Sequence, residues 1–186
     1  MNYKEILAEN RFLETNRLIL RPVGILDSMT IFDYGKDRLA TKYLNFKNYE
    51  SPEQALEVIV QFLMEPGFYL VEEKETKTGL GLFTVEADQN HDKVIFGFVF
   101  KRSCWNKGYG TEALKRILEF SFESLGVNKV EATCAKENCS SRRVMEKCGL
   151  SLEGTRHQSE KWQGKYVDIC MYGILKSEYL NQKNLE

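Results

Sequence analysis

Histidine is scarce in this chain. Only His91 and His157 occur in 186 residues, far apart, so a multi-histidine metal site cannot be assembled. The five cysteines, Cys104, Cys134, Cys139, Cys148 and Cys170, are odd in number and include no CxxC pair. A disulfide framework or a zinc cluster does not fit that pattern; reduced cytosolic thiols do. No apolar run reaches the roughly 18 residues of a membrane span. The opening MNYKEILAENRF alternates charged and apolar residues and lacks the apolar stretch of a signal peptide, so cytoplasmic placement is the expectation. A basic excess is missing too: 26 Lys and Arg stand against 27 Asp and Glu, with a net charge of -1. That balance argues against a broad nucleic-acid footprint. Internal repeats, low-complexity tracts and long linkers are absent. The whole chain, 1–186, reads as one domain, large enough to bury roughly 70% of its unfolded surface without staples.

What is present is a regular succession of strand and helix patterns. RLILRPV, residues 17–23, alternates like a strand. Asp27 is placed to cap a short helix ending near Gly35. Ser51-Pro52-Glu53-Gln54 reads as a helix start, with serine as cap, proline at the first position and glutamine able to close a capping box. That helix is expected to reach Met64 and stop at Pro66-Gly67. Residues 68–73, 79–86 and 93–101 are rich in β-branched and aromatic side chains, and their short connections predict an antiparallel meander. Leu114, Ile117, Leu118, Phe122 and Leu125 form one face of a long helix closed by Gly126. Residues 129–135 give another strand. A helix over 140–148 and a hairpin turning at Trp162-Gln163-Gly164 follow, and the tail from Lys176 reads as a fraying helix. One β-α-β crossover inside a largely antiparallel sheet makes the fold class α/β or α+β.

The segment CWNKGYGTEALKRILEF, residues 104–120, puts glycines where the long helix begins. The first amides of a helix have no partner inside it, and the aligned peptide dipoles add partial positive charge there. Gly108 and Gly110 lack side chains that would keep an anion at a distance, and Lys107 adds charge, so the pattern fits a phosphate site. A plain strand-to-helix turn is the simpler alternative. A dinucleotide fingerprint also matches Gly108-Tyr109-Gly110-Thr111-Glu112-Ala113, with Glu131 about 20 residues on as the ribose-binding acid. The connector at 102–107 and the missing repeated β-α-β units speak against it. No Walker loop is present.

WNKGYGTEALK, a strand, and then ENCSSRRVMEKCGL together resemble the GNAT N-acetyltransferases, more closely their RimJ/RimL-like branch. TNRLILRPV is similar to that branch's opening strand, and KWQGKYVDICMYGIL to its closing hairpin. The resemblance spans about residues 15–175. It implies a mixed, mainly antiparallel, strongly twisted sheet of about seven strands flanked by helices, with acetyl-CoA as cosubstrate and no metal. Trp105 holds the first position of the family loop, where many members have Gln or Arg, and tryptophan there is common in this branch. By position, Trp105, Asn106, Lys107, Gly108, Tyr109, Gly110 and Thr111 inherit the diphosphate. The pantetheine arm would lie along the strand before the loop, with a main-chain amide near Phe98 or Val99 facing the thioester oxygen. Gly97 in that strand marks a bulge or a close ligand approach.

The same resemblance gives Asn138 a contact with the cofactor arm, although a helix cap is equally natural for asparagine. Ser141 becomes the proton donor to the leaving sulfur, since the family's usual tyrosine is replaced here by Met145; a cap shared by Ser140 and Ser141 is the rival reading. Arg142 is the residue of choice for the 3′-phosphate, and Arg143 and Lys147 read as a solvated face. Cys139 lacks a base partner and reads as a bystander. For the general base, residues 94–100 contain no acid. Glu86 is the leading candidate, with Glu160, Asp168 and His157 as others. The acceptor is expected to be a primary amine, on a small molecule or a protein N-terminus, selected by residues 24–66 and the closing hairpin. Tyr34, Tyr43, Phe46 and Tyr49 could form part of its wall. The protein would be a monomer or homodimer with no membrane or direct nucleic-acid partner. The non-enzymatic alternative is an acyl-CoA sensor.

Overall fold

The computed structural model describes residues 2–184; residues 1, 185 and 186 of the expected domain lie outside the described residues. The eight strands, β1 (Leu13–Glu14), β2 (Leu18–Pro22), β3 (Phe68–Glu73), β4 (Gly79–Asp88), β5 (Lys93–Phe100), β6 (Lys129–Ala135), β7 (Ser151–Trp162) and β8 (Lys165–Leu175), form one sheet in the order β1-β2-β3-β4-β5-β6-β8-β7. The two-residue β1 is the strand that the sequence pattern omits. It is too short to show any alternation. Every neighbouring pair is antiparallel except β5 with β6. A single parallel join between sequential strands needs a crossover, and α4 (Tyr109–Glu119) supplies it.

Cross-strand pairs sort the side chains onto two faces. Phe83 lies opposite Phe98, and their rings stack at 5.6 Å with Phe96 and Phe100 alongside. This face carries the larger core with α4 and the stretch that follows it: Leu114, Ile117 and Leu118 on α4 and Phe122 and Leu125 beyond it are all buried. One residue on, Leu82 opposite Val99 faces the other way. Val23, Ile31, Tyr34, Ala55 and Ile59 build a smaller core there with Phe46 and Tyr49. That second face is covered by α2 (Ser28–Gly35) and α3 (Pro52–Leu63).

Helix ends follow the sequence in position but not always in chemistry. Asp27 precedes α2 but makes no cap; its carboxylate instead accepts from the Arg21 guanidinium at 2.8 and 2.9 Å and from the Gly24 amide at 2.8 Å. At α3, Ser51 makes no side-chain cap, and Gln54 reaches the amide of Glu50 at 2.8 Å rather than closing a box with serine. Two further helices bracket the chain. α1 (Tyr3–Glu9) was not expected; Asn2 and Glu5 form a capping box that starts it, and it buries Ile6 and Leu7. α5 (Cys139–Lys147) packs beside α4, and α6 (Lys176–Lys183) is docked rather than loose, with Tyr179 stacked on Phe122 at 4.8 Å. Beyond α4 the chain widens into a π-helical stretch, Phe120–Leu125, which ends at Gly126 with φ of 77°. No helix among the described residues is long and apolar enough to cross a membrane.

Candidate active site

After β5 the chain makes one 3-10 turn, Arg102–Cys104, and the Trp105 indole nitrogen donates back to the Phe100 carbonyl at 3.1 Å. Asn106 and Gly108 then adopt left-handed conformations, with φ of 60° and 82°. Asparagine tolerates that region and glycine occupies it without strain. Gly108 sits at the cap of α4, and its carbonyl accepts the first helical bond, from Glu112. Among the described residues, no oxygen accepts from the amides of residues 107–111. Five free donors at one helix start, in an exposed bend, form a cradle that can accept an anion. A main chain with this geometry fits a diphosphate.

The cradle is braced by residues that the sequence reading missed. Arg17, just before β2, donates to the Lys107 carbonyl at 3.1 Å, and its guanidinium lies 4.6 Å from the centre of the Tyr109 ring. Glu112 accepts from Arg17 and from the Thr15 hydroxyl, the latter at 2.6 Å. Burial pushes the Glu112 carboxyl up, but the bonds from Thr15 and Arg17 outweigh it and hold the group below its ordinary range. Tyr109 is buried, and its hydroxyl donates to Glu73 on β3. Only the main-chain nitrogen of Tyr109 therefore faces the cradle. Gly110 also differs from expectation: a Cβ there would lie 3.6 Å from Phe100 and from Val144, pointing into the protein rather than over the amides. Its lack of a side chain does not clear the anion path.

Below the cradle the sheet opens. β5 and β6 pair only at Lys93–Lys129, Val94–Val130 and Ile95–Glu131. From Phe96 onward β5 has β4 on one side and no strand on the other, while β6 continues with β8 alone. Phe98 and Val99 lie on this open edge. Each such edge offers main-chain N–H and C=O groups, so an extended arm could pair along it as a strand would.

α5 flanks the gap. Asn138 caps it, its side-chain oxygen accepting from the Ser141 amide at 3.2 Å, so neither Ser140 nor Ser141 is the cap. Cys134, on the part of β6 that has no β5 partner, is buried, and burial pushes its thiol up to about 12 and keeps it protonated. Met145 is fully buried. Arg142 is tied inward: its Nε donates to the Tyr172 hydroxyl at 3.1 Å and one terminal nitrogen to the Lys136 carbonyl at 3.4 Å. Arg143, Lys147 and Cys139 are exposed.

The candidate bases separate clearly. Asp168 accepts from the Gln158 amide at 2.9 Å, from His157 at 3.0 Å and from Lys136 at 3.3 Å, which together hold its carboxyl at about 2. A carboxylate so satisfied is a poor proton acceptor near neutrality. Glu160 accepts from the Trp162 indole at 2.6 Å. Glu86, opposite Ile95 where the strands part, has no polar partner among the described residues. It lines a cleft of about 590 Å³ that reaches Gly97 on the open edge. Tyr34, Phe46 and Tyr49 serve mainly as packing in the second core. No group of three or more His, Cys, Asp or Glu side chains among the described residues is arranged for a metal ion. The dinucleotide alternative fails: Glu131 pairs with Lys93 at 2.5 Å and Lys129 at 3.2 Å, third in its strand, and the sheet has one parallel join rather than a doubly wound core.

Known proteins of one family share the sequence and the fold. Residues 17–151 match the model of the acetyltransferase (GNAT) domain. The uncharacterized N-acetyltransferase p20 of Bacillus licheniformis is 28% identical over 173 residues, covering 90% of this chain and 97% of its own. A GNAT-family acetyltransferase from Bacillus anthracis superposes with a TM-score of 0.84 at 25% identity, covering 89% of this chain and 99% of its own. Spermidine N-acetyltransferase from Vibrio cholerae, solved with CoA and spermine, gives 0.78 at 26% identity, covering 90% and 100%. An open β5 edge beneath a bare helix start is thus found in a chain that belongs to the GNAT family of N-acetyltransferases.

Proposed function

We propose that the protein transfers an acetyl group from acetyl-CoA to a primary amine by direct attack with both substrates bound. Acetyl-CoA supplies an acyl group already activated as a thioester. The free amides of residues 107–111 hold its diphosphate. The unpaired edge of β5 lines its arm, with an amide at Phe98 or Val99 turned to the carbonyl oxygen. The Asn138 side-chain nitrogen steadies the arm, and Arg142 keeps a terminal nitrogen for the 3′-phosphate. Glu86 takes a proton from the acceptor's ammonium group, directly or through one water, and frees a neutral nucleophile. As the C–N bond forms and the C–S bond breaks, Ser141 Oγ gives its proton to the sulfur and recovers one released by the attacking nitrogen through solvent.

The observation that carries this reading is the coincidence of the open β5 edge with the bare amides above it and unpaired Glu86 below it. Trp105 and the closing hairpin support placement in the RimJ/RimL-like branch. The spermidine acetyltransferase of Vibrio cholerae acts on a small amine, and a small amine is the acceptor favoured here over a protein N-terminus. The enzyme is read as a cytoplasmic single domain, monomeric or homodimeric. Dialysed protein given acetyl-CoA and a panel of amines tests the proposal. Thiol release only when an amine is present supports transfer. Tight CoA binding with no turnover across the panel would replace it with the sensor reading.

A further inference from the structure

The cleft that reaches Gly97 carries one cation and two carboxylates, Lys4, Glu65 and Glu86, leaving a net charge of -1. Lys4 Nζ lies 2.9 Å from Glu65, so one carboxylate is already matched. Glu86 remains alone beside the point where β5 and β6 part. The one hydroxyl in the lining, Thr84, is turned onto the Gly97 carbonyl at 3.3 Å. The rest of the wall is apolar, made by Leu7, Pro66, Phe68 and Ile95 among others. A volume of about 590 Å³ suits a small molecule rather than a folded partner.

We infer that the acceptor is a primary monoamine on an apolar body, held as its ammonium by Glu86. This rests on the acetyl-transfer reading above and narrows it. A second ammonium in the same cleft would have to compete with Lys4 for Glu65, so it gains less there than the first gains at unpaired Glu86. A peptide N-terminus would bring amide groups that this wall cannot pair. The substrate class therefore departs from the polyamine named for the Vibrio cholerae relative.

Hexylamine and hexamethylenediamine have the same chain length and differ by one charge, which makes them the deciding pair. Phenethylamine, spermidine and a short peptide amide complete the panel. Two readouts are taken: thiol release from acetyl-CoA, and equilibrium binding of each amine in the presence of CoA. Hexylamine and phenethylamine should exceed the diamine, spermidine and the peptide by about tenfold in kcat/KM. Glu86→Gln should weaken their binding as well as turnover. Lys4→Ala should narrow the gap between the hexyl pair by on the order of threefold, because Glu65 is then free for a second ammonium. Both members of the Lys4–Glu65 pair are more than half exposed, so its loss leaves the fold intact. Turnover favouring spermidine or the peptide overturns the monoamine inference and leaves acetyl transfer standing. Binding of monoamines that depends on Glu86, with no thiol release from any amine, keeps the cleft assignment and ends the transfer reading. Monoamine binding that ignores Glu86→Gln, or no binding at all, overturns the inference.

Discussion

Glu112 holds Arg17 from two directions: one carboxylate oxygen accepts from Arg17 Nε at 2.7 Å and the other from the Arg17 main-chain nitrogen at 2.8 Å. Through this pair the edge of the sheet fixes the Lys107 carbonyl, and with it the direction of the neighbouring free amides. Glu112→Gln keeps the size of the side chain and loses the charge. It should weaken CoA binding by about 3- to 10-fold and lower stability by about 1 kcal/mol, a figure limited by the partial exposure of Arg17. Calorimetric titration with CoA checks the first effect, and chemical unfolding the second. Unchanged CoA affinity would make the brace a purely structural contact.

The two loop glycines should behave oppositely. Gly108 has φ of 82°, so an alanine there is strained by about 1 kcal/mol or more and distorts the cradle. Alanine at Gly110 meets only ordinary contacts at 3.6 Å and improves helix propensity. CoA affinity should fall on the order of tenfold or more for Gly108→Ala and stay within about threefold for Gly110→Ala. A large loss at Gly110 would mean that its missing side chain does face the ligand.

Capping and catalysis can be separated on α5. Asn138→Ala removes the observed cap and should cost about 1 kcal/mol in unfolding free energy. Ser141→Ala removes no cap, so it should melt near the wild-type temperature while turnover slows on the order of 10²-fold. Full activity in the serine variant would pass the proton-donor role to water.

Asp168 supplies a pH test. Its folded value of about 2 lies below the ordinary 3.8, so its ionised form is stabilised by folding. That contribution is fully present above pH 3.8 and is lost as the pH falls toward 2. The difference in melting temperature between wild type and Asp168→Asn should therefore be largest near neutrality and shrink across that acid window. A difference that does not vary with pH would show that the carboxylate charge is not what holds the β7 bulge around Gln158.

The parts of this molecule that were legible in its sequence are those set by short-range physics. The α4 face could be read because Leu114, Ile117 and Leu118 recur at helical spacing, although the widening at 120–125 was not visible there, and the meander because its connections are short. The helix start at Gly108 was legible because glycines stood just before a helical pattern, whereas the left-handed turn there came only with the fold. The brace was not: Arg17 and Glu112 are 95 residues apart, and no periodicity links them. The difference between the candidate bases was equally hidden, because Asp168 and Glu86 are both acids near strand ends and only folding gives the first its polar partners and leaves the second without any among the described residues. Asn138 shows the same limit on a smaller scale. Cap and ligand contact both suit asparagine, and the observed cap uses only its oxygen.

The three-residue join between β5 and β6 leaves the two halves of the sheet paired directly only as far as Ile95 and Glu131. If the proposed acetyl-CoA arm fills that gap, it stands in for a missing strand, and its binding energy stitches the two halves together as well as presenting a reactive group. Amides of the upper half of β6 should then exchange with deuterium more slowly once the gap is filled, well before any acceptor arrives.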